Sequence, residues 1–278
     1  MPSRQRILLL CAHQEIRLAV RSRWTQIFAL VFAVLSLAVA GSGYVLTGGW
    51  GVQDFSRTAV SLVQLVLLLV PLAALLLGVL ELTPERGAAE ILFSQPVSRR
   101  VLLAGKLLGL FAALAAAQAL GFGAAGLVVF SQAGNAGVGR FLILIGAALV
   151  LTALYLGLAA LVSVRATSRG KALALALVLW FVTIGLWDVA ALGIASLLPS
   201  GAASRLLITA VLVNPADAVR TATLFGVEGT SAFGAASLAF LRFTRGWVGA
   251  AALLGGSLLL WLTAPALLAG RWLGGRDL

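Results

Sequence analysis

Six apolar runs, each too long to sit inside a small soluble domain, constrain this chain more than any other feature. They cover approximately residues 24–45, 58–82, 101–130, 141–164, 172–198 and 246–270. A bilayer core of roughly 30 Å takes about 20 helical residues to cross. Lipid offers the backbone no hydrogen-bond partners, so runs of this length and purity become spanning helices. The rest of the composition agrees, with 61% hydrophobic and 10% charged residues over 278 positions. The expected fold is an all-α polytopic membrane protein forming one transmembrane domain over 1–278. Its parts are an interfacial helix at 1–23, spans one to five within 24–198, an outer segment at 199–245 and a sixth span at 246–270.

Basic residues set the orientation. One side holds Arg4, Arg6, Arg17, Arg21, Arg23, Arg86, Arg99, Arg100, Lys106, Arg165, Arg169, Lys171, Arg271 and Arg276. The other holds Arg57, Arg140, Arg205, Arg220, Arg242 and Arg245. Fourteen against six puts both termini in the cytosol. The net charge of +11 therefore marks a membrane face and its lipids rather than a nucleic-acid partner. A single cysteine, Cys11, excludes an intrachain disulfide.

The first 23 residues precede any span. On a helical wheel Arg6, His13, Arg17 and Arg21 share a narrow face, with Ile7, Leu8, Cys11, Leu18 and Ala19 on the other. That pattern predicts an amphipathic helix lying in the membrane interface. Glu15 falls on its apolar side, which implies a protein contact there. Ala38-Val39-Ala40 resembles a signal-peptide cleavage site, but a structured, charged 23-residue leader is unusual and the topology needs this span, so no cleavage is expected.

Between the second and third spans lies ELTPERGAAEILFSQPVSRRVLLAGK, residues 81–106. Thr83-Pro84 reads as an N-cap with proline at the first helical position, and Glu85 stands next to the positive helix end. Gln95-Pro96 ends that helix and Ser98 begins the next. The short helix over 84–95 carries Glu85, Arg86 and Glu90 on its exposed side. It is either a connector anchored to headgroups by Arg99, Arg100 and Lys106, or a docking element for a soluble partner.

Within the spans, Gly105, Gly109, Ala113, Ala117, Gly121 and Ala125 recur every four residues. Such a ladder admits close helix approach, for a moving or dimerising surface or for static packing in the bundle. Asp188 is read as well inside the fifth span, eleven residues before Pro199. A carboxylate there either lines a substrate path or acts as a structural clasp, bonded to Thr183 or to a neighbouring helix's serine. In the outer segment, Asn214-Pro215 starts another helix, NPADAVRTATLF, closed by FGVEG. The flanking stretches 206–213 and 233–243 are too apolar for free loops and too short to cross. The segment is either a re-entrant plug or a gate and landing surface for an extracytoplasmic partner, with Asn214, Pro215, Asp217, Arg220 and Glu228 as its candidate residues.

Chemistry is narrowed by exclusion. His13 is the only histidine and lies outside every span, which removes histidine-dependent intramembrane hydrolysis or acyl transfer. The spans lack histidine, cysteine and methionine, so metal transport by ligand exchange has no ligand set. No GxxxxGK[ST] is present, so ATP is not hydrolysed by this chain.

The AHQEIRLAVRSRW helix, the six spans and the connection ERGAAEILFSQPVSRRVLLAGK together resemble the ABC-2 type ABC transporter permeases, over the whole chain. LVNPADAVRTATLFGVEGTSAFGAASL and LWFVTIGLWD are similar to the NosY-type branch, which serves maturation of the copper centres of nitrous oxide reductase. The resemblance implies a non-catalytic permease subunit of the bacterial inner membrane; the alternative is a general ABC-2 exporter of lipid, drug or glycan, or a non-transporting membrane scaffold for a soluble partner. Residues 84–95 become the coupling helix that docks on a separate ATPase subunit, through Glu85, Arg86, Gly87, Glu90 and Gln95. It further implies a homodimer, a NosF-like ATPase that carries ATP and magnesium, and a periplasmic NosD-like protein. This chain would bind no cofactor or metal itself. With no soft ligands in the spans, a sulfur species or mechanical transmission suits it better as cargo than copper.

Overall fold

The computed structural model describes residues 4–45, 52–83, 98–133, 137–229 and 235–274. The expected helix over 84–95, with Glu85, Arg86, Gly87, Glu90 and Gln95, lies outside the described residues. Those described form α1 (Arg4–Arg21), α2 (Arg23–Val45), α3 (Val52–Leu82), α4 (Arg99–Ala133) and α5 (Val138–Arg165). They continue with α6 (Arg169–Ala195), α7 (Ser200–Val213), α8 (Pro215–Glu228), α9 (Ala235–Phe243) and α10 (Trp247–Gly274). No strand occurs among the described residues.

Among the described residues, six helices are long and apolar enough to cross a membrane: α2, α3, α4, α5, α6 and α10. They are the six runs read from the sequence. The helix ends differ, because backbone hydrogen bonding does not stop where apolar residues do. α4 begins at Arg99, where the Ser98 carbonyl accepts from the amides of Val101 and Leu102. α6 begins at Arg169, with the Ser168 hydroxyl accepting from the Lys171 amide, and ends at Ala195 rather than Leu198. α7 and α8 meet at a bend of 101°, and together they are apolar and long enough for a broken span or a re-entrant loop.

α5 is the centre of the bundle and packs against α3, α4, α6, α8 and α10. Gly78 explains how closely α3 approaches it: a Cβ there would stand 2.6 Å from the Ala159 Cβ. Across the other face, Phe32, Phe122 and Phe141 link α2, α4 and α5 edge to face, with centroids 5.3 and 5.9 Å apart. Such ring pairs each add about 0.5–1.5 kcal/mol beyond burial. Between the same helices, Gln118 Nε2 donates to Thr152 Oγ1 at 2.7 Å, a buried polar tie that sequence reading did not single out. A second, smaller core joins α7, α8, α9 and α10 through Ile208, Ala218, Phe225, Phe240, Ala250 and Leu254.

The small-residue ladder of α4 is covered within the chain, by α1 near its start and α2 further along. Gly105 faces Cys11, Gly109 faces Ala12 and Glu15, and Gly121 faces Phe32. All six rungs are buried, which is the static-packing reading; the surface is not left open for a second copy. A Cβ on Gly109 would stand 2.8 Å from the Ala12 carbonyl oxygen as well as against the Glu15 side chain. Gly109→Leu is therefore expected to lift α1 from α4. Cys11, the lone cysteine, then reports it: maleimide labelling should rise about tenfold, corresponding to about 1.4 kcal/mol of local opening. Labelling at the wild-type rate would show that α1 does not depend on this notch.

Candidate functional site: a polar lock and a clamped helix end

Two groups of polar side chains stand apart from the apolar packing, one at each end of the bundle. The first is built where α8 folds back between α3, α5, α7 and α10. Asn214 caps α8: its Oδ1 accepts from the Ala216 amide at 3.2 Å, and Pro215 occupies the first helical position. Gly229, at φ 65°, ends the helix, where only a residue without Cβ turns the chain this way at no cost. The start and stop signals in the sequence thus sit where the helix begins and ends.

The side chains of this helix point inward rather than outward. Asn214 and Asp217 are 2% and 4% exposed, and Pro215 is buried beside them. Asn214 Nδ2 donates to Asp217 Oδ2 at 2.8 Å and to the Thr183 carbonyl at 2.7 Å. Arg220 then bridges two carboxylates, with Nη2 2.8 Å from Asp217 Oδ1 and Nη1 2.9 Å from Asp188 Oδ2. The planar guanidinium suits this, since it offers separate donors to each acid in a fixed fork. Glu228, at the far end of α8, does not belong to the cluster.

Asp188 therefore has a partner other than those the sequence suggested. Neither Thr183 nor a serine holds it; Arg220 does. Its depth also changes, because α6 ends at Ala195, only seven residues on, which is about 10 Å of helix. Asp188 lies in the last third of the span rather than well inside it. As for the landing surface, Asn214, Pro215 and Asp217 are covered by their own chain and offer no face to a docking protein.

A π-helical turn, Phe181–Leu186, sits inside α6 beside this cluster. There the Trp187 amide reaches back five residues to the Val182 carbonyl, which widens the helix locally. The Thr183 carbonyl accepts from Asn214, while the Thr183 hydroxyl accepts from Tyr155 Oη at 2.9 Å and donates to the Leu179 carbonyl. One irregular turn of α6 is thereby tied to α5 and α8 together. Such single π turns inside α-helices are rare and occur frequently at functional sites.

The second group lies at the opposite end, where α3 finishes. The last carbonyls of a helix have no partners inside it and carry its negative end. Here Arg169, at the start of α6, donates to the Leu80 carbonyl at 2.9 Å and to the Thr83 carbonyl at 3.3 Å. Lys106, one turn or more into α4, donates to the Glu81 carbonyl at 3.0 Å. Lys106 also lies 3.9 Å from Glu15 of α1. Glu15 is 4% exposed, so its place on the apolar face of α1 does correspond to a protein contact. Burial pushes its carboxyl above the usual 4.5, opposed by Lys106 and assisted by Glu81. Arg17 and Arg21 are exposed on the other side of α1.

Nearby, Arg99 donates to the Leu273 carbonyl and Arg165 stacks on the Trp272 ring at 3.8 Å. The ends of α3, α5 and α10 and the starts of α4 and α6 thus meet in one basic layer. The arrangement joins the helix end preceding residues 84–97 to three other helices, α1, α4 and α6.

Residues 9–278 match the ABC-2 family transporter protein family. A probable ABC transporter permease protein NosY of Pseudomonas aeruginosa is 35% identical over 237 residues, 82% of this chain and 85% of that protein. The protein of the same name from Stutzerimonas stutzeri is 31% identical over 234 residues, with the same coverage of both.

Proposed function

The chain belongs to the ABC-2 family of transporter proteins, and from that premise we propose that it is the membrane subunit of a NosY-like ABC transporter. A separate, NosF-like ATPase subunit binds ATP and magnesium and docks on residues 84–95. Its closure moves two copies of this chain in the inner membrane, with both termini in the cytosol. The output serves assembly of the copper centres of nitrous oxide reductase together with a periplasmic NosD-like protein. A sulfur species, or mechanical transmission alone, fits spans without histidine, cysteine or methionine better than copper does.

The clamped end of α3 is the observation that carries this reading. Residues 84–97 follow directly on carbonyls held by Arg169 and Lys106, so a displacement there is delivered to α6 and α4 together. α6 carries it along its length to the π turn and the Asp188–Arg220–Asp217 lock at the other end. α1 follows through Glu15 and the Gly109 notch, and its exposed Leu9, Leu10 and Leu18 suit an interfacial position. On this reading Asn214 and Asp217 belong to a gate closed from within. The periplasmic protein would then meet the exposed face of α7, around Ser204 and Arg205.

Arg169→Ala tests the transmission step. Each contact of a cation with a helix C-terminus is worth only about 0.3–1 kcal/mol, so the variant should fold and keep its ATPase. ATP hydrolysis by the complex should stay within about twofold of wild type, while reductase maturation in cells falls about tenfold, a coupling loss of about 1.4 kcal/mol. Wild-type maturation in this variant would remove the α3–α6 clamp from the mechanism.

A further inference from the structure

We infer that the cleft between α4 and α10 at the basic end of the bundle is a binding site for one anionic phospholipid. The cleft has a volume of about 400 Å³ and is lined by Arg100, Leu103, Ala104, Leu107, Ala266, Leu267, Gly270 and Arg271. Its floor is apolar, and Ala104, Ala266 and Gly270 leave the width that larger side chains would fill. Two arginines stand at its mouth, both exposed. Neither forms a salt bridge or hydrogen bond among the described residues, unlike their neighbours. Arg99 is committed to the Leu273 carbonyl, Arg165 to the Trp272 ring and Arg169 to the end of α3.

The contrast with the adjacent cleft makes the assignment specific. Between α5 and α6, a cleft of about 330 Å³ is equally apolar and also has an arginine, Arg165. There the guanidinium lies over Trp272 and the indole closes the site's polar edge. Of these two clefts, it is the α4–α10 one that combines an apolar trough with two cations uncommitted among the described residues. A free anion would have no use for the trough, and a neutral lipid would have none for the arginines. A headgroup phosphate across Arg100 and Arg271, with an acyl chain over Leu103, Leu107 and Leu267, uses both. Arg100 lies in the first turn of α4, whose positive end adds to the attraction. The lipid would join α4 to α10 one helix away from the α3 clamp.

The test uses the full-length permease, stripped of lipid in detergent and offered phosphatidylglycerol or phosphatidylcholine of identical chains, with occupancy read by native mass spectrometry. Wild type should bind one phosphatidylglycerol per chain at least tenfold more tightly than phosphatidylcholine. Arg100→Gln with Arg271→Gln should abolish the preference and leave phosphatidylcholine binding unchanged. Ala104→Leu with Ala266→Leu, which fills the trough and spares the charges, should weaken both lipids. Equal binding of the two lipids by wild type would overturn the proposal. So would a retained preference in the double glutamine variant, or displacement of phosphatidylglycerol by millimolar inorganic phosphate. Should the glutamine variant not fold, Arg100→Lys with Arg271→Lys replaces it, and loss of the lipid there with normal thermal stability would also count against the site.

Discussion

Arg220→Met is expected to destabilise the protein strongly, because it removes the cation shared by two carboxylates. The variant leaves the Asp217 carboxylate, 6% exposed at its side chain, facing Asp188 with no cation between them. Removing one partner of a buried ion pair costs about 3–5 kcal/mol. Asp188 and Arg220 are 39% and 26% exposed at their side chains, so that half of the bridge is screened and contributes less. An expected loss of about 2–3 kcal/mol follows, or about 5–10 °C in the unfolding midpoint for a chain of this size. Asp188→Asn alone should cost under about 1 kcal/mol, because the tighter Asp217–Arg220 bond survives. Neutralising all three, Asp188→Asn, Asp217→Asn and Arg220→Met, should recover most of the midpoint, since no uncompensated charge remains. It should not recover maturation if the lock must open and close. An unchanged midpoint in Arg220→Met, measured in detergent or nanodiscs, would mean that the bridge is not made in the membrane.

Much of the fold was legible because lipid leaves the backbone few choices. Runs of 18 or more apolar residues can only be helices, and all six were found at nearly their full extent. The Asn214-Pro215 and Gly229 signals also translate directly, because each acts through its own local backbone geometry. Glu15 was readable for a related reason: an acid on the apolar side of an amphipathic helix must find a partner. What stayed hidden depends on distant residues. Nothing local says that α8 turns back into the bundle, so Arg220, 32 residues after Asp188, was assigned to an outer surface rather than to that acid. The depth of Asp188 was misjudged because apolar residues continue to Leu198 after the helix has ended at Ala195. The π turn has no composition of its own, since FVTIGL would serve equally well in a regular helix. Lys106 reads as a headgroup anchor and Arg169 counts only toward the positive side, whereas carbonyls at the end of α3 take their donors.

The second large effect is expected on residues 84–95, where Glu90→Arg and Gly87→Trp should each separate the permease from its ATPase. Glu85 and Glu90 stand on different flanks of the expected helix and can bracket a basic cleft on the partner. An exposed ion pair is worth only about 0–1 kcal/mol, but reversing a charge inside a closed cleft costs about 2–5 kcal/mol. Gly87 lets the backbones approach, and an indole there removes that space. A helix lying on headgroups would instead accept an arginine readily. Both variants should insert normally, since the clamp on Leu80, Glu81 and Thr83 precedes the changed positions. The most direct measurement is the amount of ATPase that co-purifies with the permease, together with its stimulated hydrolysis, for wild type and both variants beside an insertion control. Stoichiometric, stimulated ATPase with wild type and a loss of at least tenfold with each variant is the expected result. Wild-type recovery and stimulation in both would contradict the assignment of 84–95 as the helix through which a separate ATPase moves this permease.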